Sequence, residues 1–292
     1  MRTRRIHMRD LVVRLSAVRT QVLVGYARHV VLLVLALVAA GCVGEEQEQQ
    51  LGDAIARDIN THIPLVADPA SVLYINRIGL ALGQRSERPE VPYRFSIVNS
   101  ATVNAFALPG GHIYITRGLI ERTENASELA GVLAHEVGHV AARHGAQALE
   151  RELRTGSVVS ELYRLFLLRE PAILEQRALR LGERFWFASH SRAAEREADR
   201  LAVRYMMRAG MDPKGMITML TGLIEEEAEL PQPVVEWFST HPATEERVRM
   251  LRRRVTRVEA EVTPELKSDL EGYSAFLGRL SSLPPPLDLH LP

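Results

Sequence analysis

The pentapeptide His135-Glu136-Val137-Gly138-His139 sits inside a long apolar-periodic stretch that reads as a helix. Side chains four apart share one helix face, so both imidazoles reach a single metal ion. Glu136 lies on the adjoining flank, within reach of a water held beside that ion. Two histidines and a carboxylate so placed suit the generation of hydroxide near neutral pH and attack on an amide carbonyl. A chain with ten histidines can carry this pentapeptide by chance. The reading therefore needs a third ligand, and the fold must bring it to this helix.

With 292 residues, 46% of them hydrophobic and 25% charged, the chain has room for one good-sized domain plus a targeting segment, or for two small domains. Its formal net charge of zero hides an asymmetry. Residues 1–41 carry seven Arg and one Asp, leaving 29 basic and 35 acidic residues beyond them, a net charge of −6. That balance speaks against a nucleic-acid partner.

The arginines precede an apolar run, Val30 to Ala40, that ends in Ala39-Ala40-Gly41-Cys42. The run is shorter than the roughly 20 residues of a membrane span but fits the apolar part of a bacterial export signal. Small residues before a cysteine resemble a lipobox. Cys42 is the only cysteine, so it has no internal disulfide partner, and acylation accounts for an unpaired thiol at the cleavage point. The expectation is a lipoprotein signal over 1–41 and lipidation at Cys42, giving a periplasmic, membrane-anchored protein. Val43, by resemblance to enterobacterial lipoprotein sorting, favours the outer membrane. The acidic, Gln-rich stretch Glu45 to Gln50 reads as a short tether, with the tether and an N-terminal helix together spanning 42–66.

Asp68-Pro69 reads as an N-cap and first helical position, opening a helix to about Gly83. Tyr93 to Val98, Thr102 to Leu108 and His112 to Thr116 read as strands, with Pro109-Gly110-Gly111 as a turn. From Asn125 onward the pattern is mostly helical, with Gly145 near the end of the motif helix. A connector from about Thr155 to His190 contains Leu165-Phe166-Leu167-Leu168; flanking charges argue for a core-packing or membrane-facing flap over a span. Helices follow over Ser191 to Gly210, from Asp212-Pro213 to about Leu230, from Pro242 to about Val262, and from Pro264 to about Leu280. Pro284 to Pro286 read as a frayed tail. The predicted organisation is a main domain over 67–262 and a C-terminal helix with its tail over 263–292.

Known continuations of the motif can be tested by register. A third histidine in a His-x-x-Gly-x-x-His run requires Gly at 142 and His at 145, where the chain has Ala142 and Gly145. His144 is out of that register and reads as a helix-end residue near the C-terminal dipole. A cysteine ligand upstream has only Cys42 to draw on. A Glu-x-x-x-Asp is missing about twenty residues on, since Glu161 is followed by Leu165. In Glu195-Arg196-Glu197-Ala198-Asp199, periodicity separates the two glutamates. Glu197, Arg200, Arg204 and Arg208 form a charged, solvent-facing stripe. Glu195 lines up with Ala198, Ala202 and Tyr205 on the apolar side. A buried carboxylate needs a partner, and either a zinc ion or an arginine serves. Asp199, one turn on, is placed to accept a hydrogen bond from a ligating histidine.

These residues resemble metallopeptidase family 48. The resemblance rests on His135-Glu136-Val137-Gly138-His139 with Glu195-x-x-Ala198-Asp199, on Val103-Asn104-Ala105-Phe106-Ala107-Leu108-Pro109-Gly110-Gly111-His112-Ile113-Tyr114 before them, and on Thr240-His241-Pro242 with Arg247 after them. It covers residues 70 to 255 and points to the compact periplasmic lipoprotein members. It implies an α+β, mainly α, zincin-like metalloprotease domain with a small antiparallel sheet before the active-site helix. One Zn²⁺ per chain is implied on His135, His139 and Glu195, with a position left for water, Glu136 as general base and Asp199 behind a ligand. His241 or Arg247 is expected to supply a second positive donor at the reacting oxygen. In some members the corresponding histidine instead fills the open zinc position and holds the enzyme latent. The strand with His112, Ile113 and Tyr114 is expected to act as a substrate-binding edge. The implied activity is a zinc endopeptidase acting on unfolded or misfolded envelope proteins, with the outer-membrane assembly machinery as a further partner. The competing expectation is a non-catalytic chaperone or assembly factor on the same fold.

Overall fold

The computed structural model describes residues 44–155, 191–229, 237–242, 244–259 and 270–287. The export signal, Cys42, the 165–168 apolar cluster and the start of the expected final helix lie outside them. In chain order the elements are α1 (Glu45–His62), α2 (Pro69–Gly83), β1 (Arg94–Val98), β2 (Ala105–Ala107), a 3-10 turn (Pro109–Gly111) and β3 (His112–Thr116). They continue with α3 (Arg117–Ile120), α4 (Ala126–Ala141), α5 (His144–Thr155), α6 (Arg192–Arg208), α7 (Lys214–Glu229), α8 (Trp237–Thr240), α9 (Glu245–Glu259) and α10 (Tyr273–Ser282). The fold is thus mainly helical with one small sheet, as the α+β expectation has it.

The sheet order is β1-β3-β2, with β3 parallel to β1 and antiparallel to β2. The sheet is therefore mixed, where an all-antiparallel one was expected. Gly110 and Gly111, at φ 71° and 91°, turn the chain from β2 straight back along β3. The chain leaving β1 first crosses to the far side of β3, so β1 and β3 run the same way. A second correction follows. His112, Ile113 and Tyr114 lie on the central strand, hydrogen-bonded on both sides, so β3 has no free backbone edge to which a peptide could add.

Helix α4 carries the motif through the core. The Asn125 side chain accepts from the Ser127 and Glu128 backbone N–H groups at 3.0 and 3.1 Å and starts it. Every residue from Ala126 to Val140 is buried, with α2 and the sheet in the same apolar cluster and α6 and α7 packed on it. Gly138 brings α6 close: a Cβ there would lie 3.0 Å from the Ala198 carbonyl oxygen and 3.2 Å from its Cα. The i+4 spacing of the motif is thus joined to a second helix at backbone contact distance.

The helix does not run on to Gly145. It closes at Ala141, Arg143 takes a left-handed φ of 58°, and α5 begins at His144. Arg143 Nε donates to the buried Glu48 of α1 at 2.8 Å, and Glu48 also pairs with Arg88 at 3.3 Å. Glu45 to Gln50 is accordingly the first part of a docked helix rather than a loose tether. The tail is docked too, as far as Leu287. Its N–H donates to the Asn99 carbonyl at 3.1 Å and its carbonyl accepts from Ala101 at 2.9 Å, while Arg117 donates to the Pro284 carbonyl at 2.6 Å. Backbone pairing with the loop after β1 holds a segment whose composition suggested fraying. Among the described residues no helix is long and apolar enough to cross a membrane.

Candidate metal centre

Helix α4 presents His135 and His139 on one face, as four-residue spacing requires. Helix α6, crossing at Gly138, presents Glu195 and Asp199 toward them. Glu195 is 1% exposed, whereas the Glu197 side chain is 48% exposed, which is the division that the charged stripe of this helix dictates. His135 Nε2 and His139 Nε2 stand 3.0 Å apart, and each is 3.4 Å from a Glu195 carboxylate oxygen. His241, just beyond α8, joins them. Its Nδ1 lies 3.4 Å from His135 Nε2 and 3.1 Å from Glu195 Oε1.

These separations suit a metal. Tetrahedral zinc with bonds of about 2.0 to 2.1 Å holds its ligand atoms about 3.3 Å apart. The donor atoms of His135, His139, Glu195 and His241 all lie within 4.8 Å of one another, and all four residues are buried. Glu195 Oε2 and His135 Nδ1 are buried without an aligned hydrogen bond, although Arg247 Nη1 lies 2.8 Å from the first and Asp199 Oδ1 3.1 Å from the second. Two imidazoles and a carboxylate are a donor set that zinc takes readily.

Electrostatics supports the same conclusion. Burial alone disfavours charge on His135, but hydrogen bonds and charge from Asp199 and Glu195 outweigh it and push its pKa up to about 9. A proton there stands in for a cation. Burial also opposes charge on Glu195, yet His241, His135 and His139 hold its carboxyl far below the usual range. Asp199 is held low against burial by His135 and Arg247. Arg247 is held high, against burial, chiefly by Asp199.

Glu136 is 1% exposed. The Trp237 indole Nε1 donates to its Oε1 at 3.3 Å, and His241 Nε2 lies 3.6 Å from the same oxygen. The backbone N–H of Trp237 in turn donates to the Val103 carbonyl at 3.0 Å, next to β2. The α8 segment therefore covers the site. Arg247 is occupied differently from the expectation. It donates to Asp199 through Nη2 at 2.7 Å and Nε at 3.0 Å, to the Pro242 carbonyl at 3.0 Å, and pairs with Glu195. Its position is that of a clamp on Glu195, Asp199 and the His241 loop, rather than of a donor to a reacting oxygen. His112 pairs with Asp53 of α1 at 2.7 Å and is not among the residues gathered at the centre.

One residue escaped the sequence reading and another, His144, is placed otherwise than the helix-end position expected of it, since it opens α5 and packs on His139. Trp237 precedes His241 by one helical turn, a spacing visible only if that helix is started before Pro242. His144 is buried with its Nδ1 2.9 Å from His139 Nδ1, and burial, partly offset by Glu197, holds its pKa low. Nothing in the sequence marks the chain reversal at Arg143 that brings it there.

Lone pairs of two imidazoles and a carboxylate pressed this closely repel unless a cation or proton lies between them, and the crossed helices that impose this closeness are those of a zincin-type metallopeptidase. Comparison with known proteins narrows the class. The profile of peptidase family M48 matches residues 69–255. The β-barrel assembly-enhancing protease of Escherichia coli strain K12 is 31% identical over 241 residues, 81% of this chain and 49% of the relative. Mitochondrial metalloendopeptidase OMA1 of Arabidopsis thaliana is 29% identical over 188 residues, 64% of this chain and 37% of its own. Metalloprotease LoiP of Escherichia coli strain K12 is 28% identical over 222 residues, 73% of this chain and 82% of its own. The chain belongs to peptidase family M48. It spans about half the length of the assembly-enhancing proteases that it matches.

Proposed function

We propose that this protein is a zinc endopeptidase of the bacterial envelope that cleaves unfolded or misassembled proteins. The observation that carries the proposal is the convergence of His135 Nε2, His139 Nε2 and Glu195 at 3.0–3.4 Å beside the buried Glu136. His135, His139 and Glu195 would hold a zinc ion, which would supply a Lewis acid and lower the pKa of water toward about 7. Glu136 accepts the proton released in the attack and returns it to the leaving amine. Asp199 orients His135 through Nδ1, and Arg247 holds Asp199 and Glu195 in place.

The position of His241 favours a closed resting form. Its Nδ1 lies among the three ligand atoms, where a fourth ligand belongs, and Trp237 covers the general base. A substrate then enters only after the α8 segment withdraws. The name of the assembly-enhancing relatives suggests a role beside β-barrel assembly. The lipobox reading of Ala39-Ala40-Gly41-Cys42 supplies the anchor, with Val43 favouring the outer membrane. Radiolabelled fatty acid should enter the wild type and not Cys42→Ser.

The decisive assay is casein cleavage by the zinc-loaded protein, in the wild type and with the site opened by His241→Ala. Adding Glu136→Gln should lower turnover by about 10²–10⁴-fold without loss of zinc. Equal background rates with and without Glu136 would leave the non-catalytic assembly factor as the function.

A further inference from the structure

We infer that His144, directed by Glu197, sets the tautomer and orientation of His139 as a metal ligand. The inference rests on the proposed metal site and adds a pair of positioning residues behind it. A ligating imidazole must keep the lone pair of one ring nitrogen on the metal, so its other nitrogen carries a proton that needs an acceptor. For His135 that acceptor is Asp199, with Oδ1 3.1 Å from Nδ1. For His139 the atom opposite Nδ1 is another imidazole nitrogen, His144 Nδ1, at 2.9 Å. The two rings meet edge to face, 4.9 Å between centroids and 70° between planes.

Two ring nitrogens at that distance share one proton, and the direction of sharing is decided at the far end of the chain. His144 Nε2 lies 3.4 Å from Glu197 Oε2, a carboxylate that can only accept. His144 therefore carries its proton on Nε2 and offers the Nδ1 lone pair to His139. His139 in turn carries its proton on Nδ1 and turns the Nε2 lone pair to the metal. The backbone is shaped for this contact. A continuing helix would place residue 143, not 144, one turn beyond His139. The left-handed Arg143 breaks the helix and returns the next residue to that face, while Glu48 of α1 holds the Arg143 side chain. The two histidine ligands are thus supported unequally, one by a buried carboxylate directly and one by a neutral imidazole relaying a half-exposed carboxylate.

The test uses the full chain and three readouts: zinc Kd from chelator competition, the visible absorption of the Co²⁺-substituted protein, and the melting temperature of the apo form. His144→Leu removes the acceptor and should weaken zinc by about 10- to 100-fold, with a shift in the Co²⁺ band. His144→Asn places an amide oxygen near the former Nδ1 position and should stay within about threefold of wild type. Glu197→Ala should fall between the two. Wild-type Kd and Co²⁺ band in His144→Leu would overturn the inference, as would a loss in His144→Asn equal to that in His144→Leu. If His144→Leu does not fold, His144→Ala carries the same expectation and the same refutation. A wild-type chain that takes up no zinc would overturn the metal site itself, a result distinct from tight binding by every variant.

Discussion

Arg247 grips Asp199 through two nearly parallel hydrogen bonds, Nη2 to Oδ1 at 2.7 Å and Nε to Oδ2 at 3.0 Å, and Asp199 stands 3.1 Å from Nδ1 of His135. The arginine of α9 thus reaches the motif helix through Asp199 of α6, and it pairs with Glu195 of the same helix at 2.8 Å. Only the planar guanidinium fits such a two-point grip. Arg247→Ala strips a buried carboxylate of its partner and should destabilise the apo protein by about 3–5 kcal/mol, measured by urea unfolding. Arg247→Lys restores the charge but not the fork, and its zinc affinity should stay below that of wild type.

His241 makes an opposite prediction. With Nδ1 at 3.1 Å from Glu195 and Nε2 at 3.6 Å from Glu136, it stands between the proposed ligand and the proposed general base. His241→Ala should raise basal cleavage of a fluorogenic unfolded substrate while weakening zinc. A fall in turnover, with zinc bound, would assign His241 to the chemistry instead.

The close crossing of α4 and α6 can be tested at Gly138. A methyl group there gains about 1 kcal/mol in helix propensity. It also meets the Ala198 backbone at 3.0–3.2 Å, and overpacking of this kind costs about 1–3 kcal/mol. Because Glu195 rides on the displaced helix, Gly138→Ala should lose zinc affinity even where its melting temperature barely moves. Wild-type affinity would show that α6 yields without moving its carboxylate.

Away from the metal, Glu87 predicts a pH effect. Burial opposes its ionisation, but the Tyr205 hydroxyl and Arg204, at 2.5 Å, outweigh it and hold its pKa below the usual 4.5. A carboxyl whose pKa is depressed by folding stabilises above its unfolded value, and that contribution disappears as pH falls through the folded one. Urea midpoints of wild type and Glu87→Gln should therefore differ at pH 7 and converge as the pH drops below about 4. A constant difference down to pH 3 would contradict this assignment.

Much of this architecture is local and therefore legible in the chain. The i, i+4 histidines, the Asn125 cap and the Asp68-Pro69 start are properties of single helices. So is the division of α6 into a buried Glu195 face and an exposed Glu197 stripe, because helical periodicity fixes which residues share a side. Strand positions were legible for the same reason. Strand direction was not, since residues 94–98 read alike whether their neighbour runs with or against them. The docked tail escaped because its partners lie at Asn99 and Ala101, far off in sequence.

The sequence by itself determined the candidates: which side chains are of a kind to hold a divalent ion or move a proton, and which helix faces carry them. Only the tertiary structure decided how close those groups come and what stands behind them. His135, Glu195 and His241 meet within a few ångströms across long separations in the chain, drawn together by the backbone contact at Gly138 and the fold-back of α8. His144 reaches His139 only because a non-glycine residue is held left-handed at the helix break. Such contacts follow from the burial and pairing of the whole core, which no local pattern encodes.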